Sequence, residues 1–512
     1  MVFNLSVCVE TKDEKLIRLI DEFLEDNFTD VGMSFNPKDP PPIRVYIGKV
    51  DHMPIYLFTT DQFRFFNFYL KQRGAELLNF VVNDHRDYES TKQDYKMAVD
   101  WDFRPGQEEV FDFLVERPIG NKLVPATMGF GKTYLAARLM ARRKVLTAFV
   151  LLAGFIPKWC KDLNELLGIK SEDICVIQGW EDLAAVGALA KENKLRWKVY
   201  LFGLETYREY IKAFETNPQR CLDKYGTTPL DLFPLMGIDT MIVDEAHLSF
   251  HALFRTVIYT NVKYQINLTA TLIPGSEVEA KAKRALLSPK DIYHDRMVEK
   301  YMHVIAYDYN IFEPWMDRIR YTNARGAGRI NTGLYSHTAF EKSIHRNKDM
   351  KLPYFELIDE VIDIYYTSEY MEGDKLIIFV ALKQTATMLQ EWLADKYPDK
   401  KVVRYIGGDS YEEMLTGDFI VTTIGSCGTG KDIPGLRLAI MTVSVSGAKS
   451  NLQSAGRLRK MDDRDVTFVY LFSNKIQKQV NHHNSRIEIL DEIAVSHKTV
   501  RSRIGLRPIP KK

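Results

Sequence analysis

Residues 126–133, with the sequence ATMGFGKT, constrain the fold of this chain more than any other segment. Glycines such as Gly129 and Gly131 allow a tight turn in which backbone N–H groups surround phosphate oxygens. The Lys132 ammonium can then reach the β- and γ-phosphates of a nucleotide, and the Thr133 hydroxyl can hold Mg²⁺. The segment therefore predicts a phosphate-binding loop, although a glycine-rich turn with an incidental lysine would carry the same letters.

A phosphate-binding loop needs a strand before it and a helix after it, so that the helix N-terminus faces the phosphates. Residues 123–125 form a short apolar approach, and residues 134–140 (YLAARLM) are rich in alanine and leucine and favour a helix. The flanking sequence thus indicates one repeat of an α/β sheet.

The length and composition of the chain favour a multidomain globular protein. Its 512 residues are too many for one hydrophobic core and suggest three or four domains. Hydrophobic residues make up 46% and charged residues 27%, which is typical of globular chains and not of disordered ones. No apolar run reaches eighteen residues, and the N-terminus lacks a basic region followed by an apolar one, so we expect neither a membrane span nor secretion.

Cysteine content and net charge bear on the compartment and the partners. Five scattered cysteines without a C-x-x-C pair indicate reduced thiols in a cytoplasmic protein, which means the host cytoplasm if the chain is viral. The formal net charge of +1 gives no argument for a nucleic-acid partner, which would have to bind through local basic patches.

Apolar runs alternate with helical patterns over two stretches of the chain, and such alternation implies parallel sheets covered on both faces. In the first stretch the predicted strands are 146–152, 198–202, 241–243 and 265–268, and the predicted helices are 104–114, 134–141 and 157–167. In the second stretch the predicted strands are 376–380, 402–406, 419–422, 438–443 and 466–472. The expected fold class is α/β, with two parallel-sheet domains in tandem.

Five zones can be separated along the chain. A small α+β domain, a candidate for DNA binding, is expected at 1–95, where two short strands precede an aromatic helical stretch. The remaining zones are the parallel-sheet domains at 96–305 and 352–480, a basic connecting segment at 306–351, and a tail at 481–512 that begins helical and ends basic.

Two acids follow an apolar strand at 241–247, where the sequence is MIVDEAH. Ligands collect at the carboxyl ends of parallel strands, so Asp244 and Glu245 would lie beside the phosphate-binding loop. Asp244 could then hold Mg²⁺, and Glu245 could orient or deprotonate the water that attacks the γ-phosphate. The alternative is an ordinary acidic helix start after a strand.

A weaker signal precedes the loop at 103–107, where the sequence is FRPGQ. The Gln107 amide could read an adenine edge through one donor and one acceptor, with Phe103 as a stacking face. A helix start with proline in its first turn explains the same residues. Thr269 and Thr271, at the end of a later apolar run, could hydrogen-bond the acidic motif or be ordinary turn formers.

These segments together resemble the motifs of superfamily 2 helicases. The matching segments are 126–133 for motif I, 244–247 for motif II, 269–271 for motif III, 375–382 for motif IV, 428–434 (GTGKDIP) for motif V, 453–460 (QSAGRLRK) for motif VI, and Arg104 with Gln107 for the adenine-reading Q motif. The motifs follow the order of the family, and within the superfamily the likeness is greatest to phage UvsW-type helicases.

The resemblance implies two RecA-like domains that use ATP and Mg²⁺. It implies catalytic roles for Lys132, Asp244, Glu245, Arg457 and Arg459. It implies nucleotide contacts by Arg104, Gln107, Gly129, Gly131, Lys132, Thr133, Gly430, Asp432 and Gln453, with Thr133 and Asp244 as Mg²⁺ ligands.

One position departs from the motif VI pattern. Lys460 stands three residues after Arg457, where the family has a second arginine, and Arg459 lies one position earlier. A lysine is a point charge that cannot reproduce bidentate guanidinium contacts. Arg457 is therefore the firmer phosphate contact, and the choice between Arg459 and Lys460 as the arginine finger stays open.

The implied activity is ATP-driven unwinding or remodelling of branched DNA, such as forks, Holliday junctions and D-loops, in replication, recombination or repair. The implied partners are DNA, together with single-strand-binding or recombination proteins, and no membrane. Two alternatives remain: an RNA helicase, and the duplex-translocating motor of a multisubunit complex.

Cations alternate with aromatic residues between positions 311 and 351, which suits a surface that follows a nucleic-acid backbone and stacks its bases. The residues concerned are Arg318, Arg320, Arg325, Arg329, Lys342, Arg346 and Lys348, with Trp315, Tyr321 and Tyr335 between them. A solvated linker would explain the same composition.

Overall fold

The structure is a computed structural model. It describes residues 1–31, 43–75, 81–99, 101–125, 130–244, 250–269, 277–294, 300–322, 335–426, 433–445, 447, 451, 454–461, 464–491 and 493–509. These residues belong to two compact units, Met1–Met297 and Val298–Lys512. No helix within the described ranges has both the length and the apolar character needed to cross a membrane.

The first unit begins with a small antiparallel arrangement of strands and two helices. Its elements are β1 (Ser6–Glu10), α1 (Glu14–Phe28), β2 (Thr29–Val31), β3 (Ile43–Val45), β4 (Gly48–Lys49), β5 (Ile55–Thr59) and α2 (Thr60–Gln72). Strand β5 pairs antiparallel with β1 and β4, and β2 pairs antiparallel with β3. Helix α2 begins with a capping box, because the Gln62 N–H donates to Thr59 Oγ1 and the Thr59 N–H donates to Gln62 Oε1. The expected small α+β region is present.

A parallel sheet covered by helices forms the rest of the first unit. Its elements are α3 (Gln107–Val115), β6 (Gly120–Pro125), α4 (Lys132–Arg143), β7 (Thr147–Leu151), α5 (Ile156–Leu167), β8 (Ile174–Ile177), α6 (Trp180–Lys191), β9 (Val199–Gly203), α7 (Leu204–Thr216), α8 (Pro218–Tyr225), α9 (Pro229–Leu235), β10 (Thr240–Val243), α10 (Phe250–Tyr259), β11 (Tyr264–Thr269) and α11 (Glu277–Leu286). In the described part of the chain, the sheet runs in the order β6-β11-β10-β7-β9-β8, and neighbouring strands are parallel.

The N-terminal region shares a hydrophobic core with this sheet. Phe23 and Leu57 of the N-terminal region and Phe202 of β9 belong to one cluster of buried side chains. A second cluster, on other side chains of the sheet and its helices, includes Phe149 and Trp159. The change in sequence pattern predicts a domain boundary near residue 95. The compact unit continues through this position, because apolar surface buried between the two parts holds them together.

The second unit contains a parallel sheet as well. Its elements are β12 (Met302–Asp308), α12 (Glu313–Met316), α13 (His337–Arg346), α14 (Lys348–Tyr365), β13 (Lys375–Val380), α15 (Lys383–Lys396), β14 (Val402–Tyr405), α16 (Tyr411–Leu415), β15 (Phe419–Thr423), β16 (Leu436–Met441), β17 (Val466–Phe472), α17 (Gln477–Leu490) and β18 (Ala494–Arg501). Among the described strands the order is β14-β15-β13-β16-β17-β12-β18, with parallel neighbours throughout.

Two strands of this sheet lie where the sequence pattern indicated none. Strand β12 lies across the boundary expected at 305/306, and the connecting zone that follows contains helices α12 and α13. The tail, expected to be helical and then basic, adds β18 beside β12 at one edge of the sheet. Because an edge strand has one exposed side, β18 (AVSHKTVR) keeps charged residues and lacks the apolar run of an inner strand. The α/β fold class with two tandem parallel sheets and a small N-terminal α+β part is confirmed, as the RecA-like expectation requires.

Candidate nucleotide-binding site

Three neighbouring strands of the first unit bring the predicted nucleotide motifs to one edge of the sheet. Strand β11 lies between β6 and β10, and Thr269 pairs in register with Pro125. Val243, the last residue of β10, pairs in register with Asn267 of β11. Because the strands are parallel, the loop after β6, the end of β11 and the acid after β10 all leave the sheet at its carboxyl edge.

Helix α4 begins at Lys132, directly after the described end of the loop. Gly131 precedes it with a φ of +90°, a conformation that side-chain-bearing residues rarely adopt. A Cβ atom on Gly131 would also lie 2.4 Å from Gln107 Nε2, so both the backbone angle and the space require glycine. No side chain caps this helix, and the first N–H groups of a helix lack intrahelical acceptors and attract anions.

The Gln107 side chain connects the start of α3 to this loop. It is 1% exposed, its Oε1 accepts from the Arg104 N–H at 2.9 Å, and its Nε2 donates to the Phe130 carbonyl at 2.5 Å. Both ends of the amide thus bond to the chain itself. The adenine contact stays a prediction, and in the structure the amide holds Phe130, at the described end of the predicted phosphate-binding loop, against the start of α3.

Asp244 follows β10, and its carboxylate is oriented by an indole. Trp159 Nε1 of helix α5 donates to Asp244 Oδ2 at 2.9 Å. The Trp159 ring is 2% exposed and packs on Phe149 with 4.6 Å between ring centroids, so the donor has a fixed position. A neutral donor orients the carboxylate without cancelling its negative charge, which suits a ligand of a hard cation.

Sequence reasoning missed Trp159, because a lone tryptophan in an amphipathic helix indicates packing and nothing more. A second carboxylate lies one helical turn further along α5. Burial is the largest cause of the raised pKa of Asp162, the nearby Lys158 charge lowers that pKa, and Asp244 makes the smallest of the contributions that raise it. A raised pKa favours the protonated form, so Asp162 adds less negative charge beside Asp244 than an exposed aspartate would.

The described donors fit ATP with Mg²⁺. The uncapped start of α4 and the Lys132 ammonium suit phosphate oxygens, and the Thr133 hydroxyl and Asp244 carboxylate are the oxygen ligands that Mg²⁺ prefers. Mg²⁺, when bound, neutralises charge on the β- and γ-phosphate oxygens.

The three cations of the predicted motif VI, in the second unit, differ in how deeply they are buried. Arg457 is 1% exposed, Arg459 is half-buried with its Nη1 donating to the Gly456 carbonyl, and Lys460 is exposed. The Tyr301 hydroxyl donates to the Leu458 carbonyl at 3.3 Å, which ties the same turn to the start of β12. Arg457 therefore has a fixed place within its unit, and the choice between Arg459 and Lys460 stays open.

A buried arginine of α17 fixes the chain just before this motif. Arg486 Nε donates to Asn451 Oδ1 at 2.7 Å, and its Nη2 donates to the Val443 carbonyl at 3.1 Å. Asn451 Nδ2 in turn donates to the carbonyls of Val445 and Gly447. Burial lowers the pKa of Arg486 to about 10. No sequence pattern indicates these contacts of Arg486, because its partners are mostly backbone carbonyls about forty residues away.

Several predicted site residues lie outside the described residues. They are Gly129, Glu245, Gly430, Asp432 and Gln453, together with Thr271 of the predicted motif III.

The structure of the basic connecting zone fits only in part the prediction that this zone follows a nucleic-acid backbone and stacks its bases. Trp315 is 3% exposed and belongs to the hydrophobic core of the second unit, so it cannot stack on a base. Arg318 donates to both carboxylate oxygens of Asp349, at 2.7 and 2.9 Å, and to Asn347 Oδ1. These two residues stabilise the fold of the unit.

In comparisons with known proteins, no family model matches the chain. The transcript termination protein A18 of Fowlpox virus (strain NVSL) is 26% identical over 157 residues, which are 29% of this chain and 31% of that protein. The chain thus matches about a third of the length of this curated relative.

Two solved structures also resemble the chain. S. cerevisiae Dbp5 bound to RNA and ADP BeF3 aligns with a TM-score of 0.48 and 13% identity, over 77% of this chain and 89% of that one. The Pyrococcus furiosus Hef helicase domain aligns with a TM-score of 0.45 and 13% identity, over 75% and 98%. At these identities and TM-scores, none of the likenesses decides the activity or the substrate of this chain.

Proposed function

We propose that this chain is an ATP-dependent DNA helicase or translocase of superfamily 2 that unwinds or remodels branched DNA. The observation that carries the proposal is the carboxyl edge of the first sheet, where the Gly131–Lys132 helix start and Asp244 follow β6 and β10, the strands on either side of β11. The motif order in the sequence supports the choice of superfamily.

The proposed site acts on ATP by holding its phosphates and orienting a water. Lys132 and the first N–H groups of α4 bind phosphate oxygens, while Thr133 and Asp244 hold Mg²⁺. Glu245 orients the attacking water, and Gln107, through Phe130, keeps the loop in place. Gly129 belongs to the same loop, and Arg104 lies beside Gln107.

The second unit is proposed to contribute charge stabilisation. Arg457 contacts the γ-phosphate as negative charge develops on it, and Arg459 or Lys460 supplies the second cation. Gly430, Asp432 and Gln453 are further proposed nucleotide contacts, taken from their positions in motifs V and VI.

Branched DNA is the proposed substrate because the motifs in the sequence resemble those of UvsW-type helicases. The second candidate is an enzyme that acts on RNA or on a transcription complex. It is favoured by the curated viral relative, which is named as a transcript termination protein.

The test is an ATPase and strand-separation assay of the purified chain on forks, Holliday junctions, linear duplex, single strands and RNA. Lys132→Ala should abolish both activities, since it removes the phosphate-binding ammonium. Arg142→Ala, an exposed position in the last turn of the same helix, is the matched control and should retain both. Undiminished unwinding by Lys132→Ala would refute the proposal, and stimulation by RNA without stimulation by any DNA would favour the second candidate.

A further inference from the structure

A cavity of about 540 Å³ opens on the first unit, among α6, α7 and α8. Trp180 starts α6 at its rim and is 49% exposed. The turn before it is fixed, because Gly179 has a φ of +122° and its N–H donates to Thr206 Oγ1 at 2.9 Å. The backbone that carries this large, half-exposed aromatic side chain is thus fixed beside the cavity.

Three exposed cations line the same cavity. They are Lys212 of α7 and Arg220 and Lys224 of α8. Arg220 and Lys224 are four residues apart on one helix and share a face. Lys224 Nζ lies 5.4 Å from the centroid of the Trp180 ring, so positive charge and the aromatic ring are adjacent.

The acids at the cavity do not neutralise these cations. Glu205 and Glu209 line it, but Arg208 Nη1 lies 2.7 Å from Glu205 Oε1. Among the described residues, Lys212, Arg220 and Lys224 form no ion pair with a carboxylate. Three cations and two acids therefore line the cavity. Of the two acids, Glu205 is paired with Arg208, and Glu209 forms no ion pair among the described residues.

The fold alone does not require this arrangement. Helix α8 is anchored by Cys221 and Tyr225, which are buried on its other side, and by Asn217 Oδ1, which accepts from the Arg220 N–H at 3.0 Å. The exposed cations and the half-exposed indole therefore contribute little to packing. Their chemistry suits a ligand with flat aromatic groups and repeated negative charge.

We propose that this cavity binds a single strand of DNA, with one base stacked on Trp180 and the flanking phosphates held by Lys212, Arg220 and Lys224. The inference rests on the proposed function, for which it names a contact surface on the first unit. Aromatic platforms beside basic side chains bind single strands with little sequence preference. The Lys224 ammonium lies over the Trp180 ring, and its flexible chain allows it to move to a flanking phosphate when a base stacks on the ring.

The stacking part is tested by fluorescence anisotropy of a labelled DNA 20-mer with the full chain in the absence of ATP. Trp180→Ala should weaken binding about 5- to 100-fold, and Trp180→Phe should recover most of the affinity because it keeps a ring. Tyr370→Ala is the matched control, since Tyr370 is 38% exposed and has Lys400 Nζ 3.4 Å from its ring centroid. Equal affinities for wild type and Trp180→Ala would overturn the proposal.

The electrostatic part is tested by the salt dependence of the same binding. Each of Lys212→Glu, Arg220→Glu and Lys224→Glu should lower the slope of log K against log salt by about 0.7, the value for one phosphate contact on a single strand. Lys170→Glu, at an exposed lysine of the same unit, should leave the slope unchanged. A DNA strand carrying 5-iodouracil should crosslink to the peptide that contains Trp180, and crosslinks confined to other peptides would refute the site.

Two controls separate this site from the proposed function. DNA-stimulated ATPase in the wild type, combined with wild-type binding by every cavity variant, would overturn the site and leave the proposed function standing. A wild-type chain that neither binds DNA nor hydrolyses ATP would overturn both. An RNA 20-mer of the same sequence forms a second arm, and a loss of affinity confined to RNA would overturn the assignment to DNA.

Discussion

The two units hold their predicted functional groups in different ways. In the first unit, backbone geometry places them: a glycine turn, the start of α4 and the carboxyl ends of parallel strands position Lys132 and Asp244. In the second unit, buried side chains do this, since Arg457 and Arg486 are each 1% exposed and contacts from α17 fix the preceding loop. The first unit adds a buried donor, the Trp159 indole that orients Asp244, to positions set by the backbone. The second unit depends on buried polar partners for the placement itself, so the loss of any one of them should displace its groups.

The largest expected effect comes from removing the buried cation of the second unit. Arg457→Ala should lower kcat for ATP hydrolysis by about 10³- to 10⁵-fold, because a guanidinium on the γ-phosphate stabilises the transition-state charge. The loss in kcat is measured in a steady-state ATPase assay with saturating nucleic acid.

The matched control is another buried arginine of the same unit. Arg437 is 5% exposed and bonds to Glu369 and the Tyr365 carbonyl, so Arg437→Ala should cost stability and leave kcat per folded molecule unchanged. Equal losses of kcat in the two variants would show that Arg457 only stabilises the fold. Arg459→Ala and Lys460→Ala then show which of these cations is the second contact.

A smaller effect is expected where a single side chain supports the first unit's site. Trp159→Phe keeps the ring that packs on Phe149 and removes the N–H that orients Asp244. Residues that hydrogen-bond to a metal ligand typically contribute about 10- to 100-fold in metal affinity. The affinity for Mg²⁺ in the presence of ATP should therefore fall by about 10-fold or more.

Calorimetric titration with ATP, with and without Mg²⁺, distinguishes this role from packing. Affinity for metal-free ATP should be unchanged in Trp159→Phe, and only the gain due to Mg²⁺ should shrink. Trp392→Phe, a partly buried tryptophan of the second unit, is the control. An equal loss with and without Mg²⁺ would contradict the orienting role.

The smallest expected effect concerns a buried acid of the second unit. Burial raises the pKa of Glu341 to about 7, although the carboxylate accepts from the N–H groups of Ala381 and Leu382 and from Thr385 Oγ1. The folded unit therefore keeps a proton that the unfolded chain releases. The stability from this group is complete below pH 4.5 and is lost as the pH rises to about 7.

Urea unfolding of wild type and Glu341→Gln between pH 4.5 and 8 measures this dependence. The substitution leaves nothing to titrate at this position, so the decline of stability with pH should become shallower. Glu412→Gln, at an exposed acid on α16, should not change it. An unaltered slope in Glu341→Gln would contradict the buried titration.

Local patterns predicted much of the fold, and the roles of the site residues stay predictions. The strand expected at 466–472 has those bounds in the structure, and the helix after the phosphate-binding loop begins at Lys132, two residues earlier than predicted. Such features depend on neighbouring residues in the chain, so apolar runs and glycine spacing are enough to predict them. Trp159 and Arg486 could not be predicted, because their roles come from partners 85 and 35 to 43 residues away. Strand β8, with four residues and one of them exposed, is too short for its pattern to indicate a strand.

The placement of β12 has a consequence for synthesis of the chain. It is the first strand of the second unit, yet among the described strands it pairs only with β17 and β18, the last two. On the ribosome, its hydrogen-bonding edges therefore stay without sheet partners until more than 150 further residues have been made. The first unit can close its own sheet during that delay, and late pairing of this kind is slow and leaves strands open to aggregation. Premature termination between β12 and β17 should thus leave an intact first unit joined to an aggregation-prone remnant.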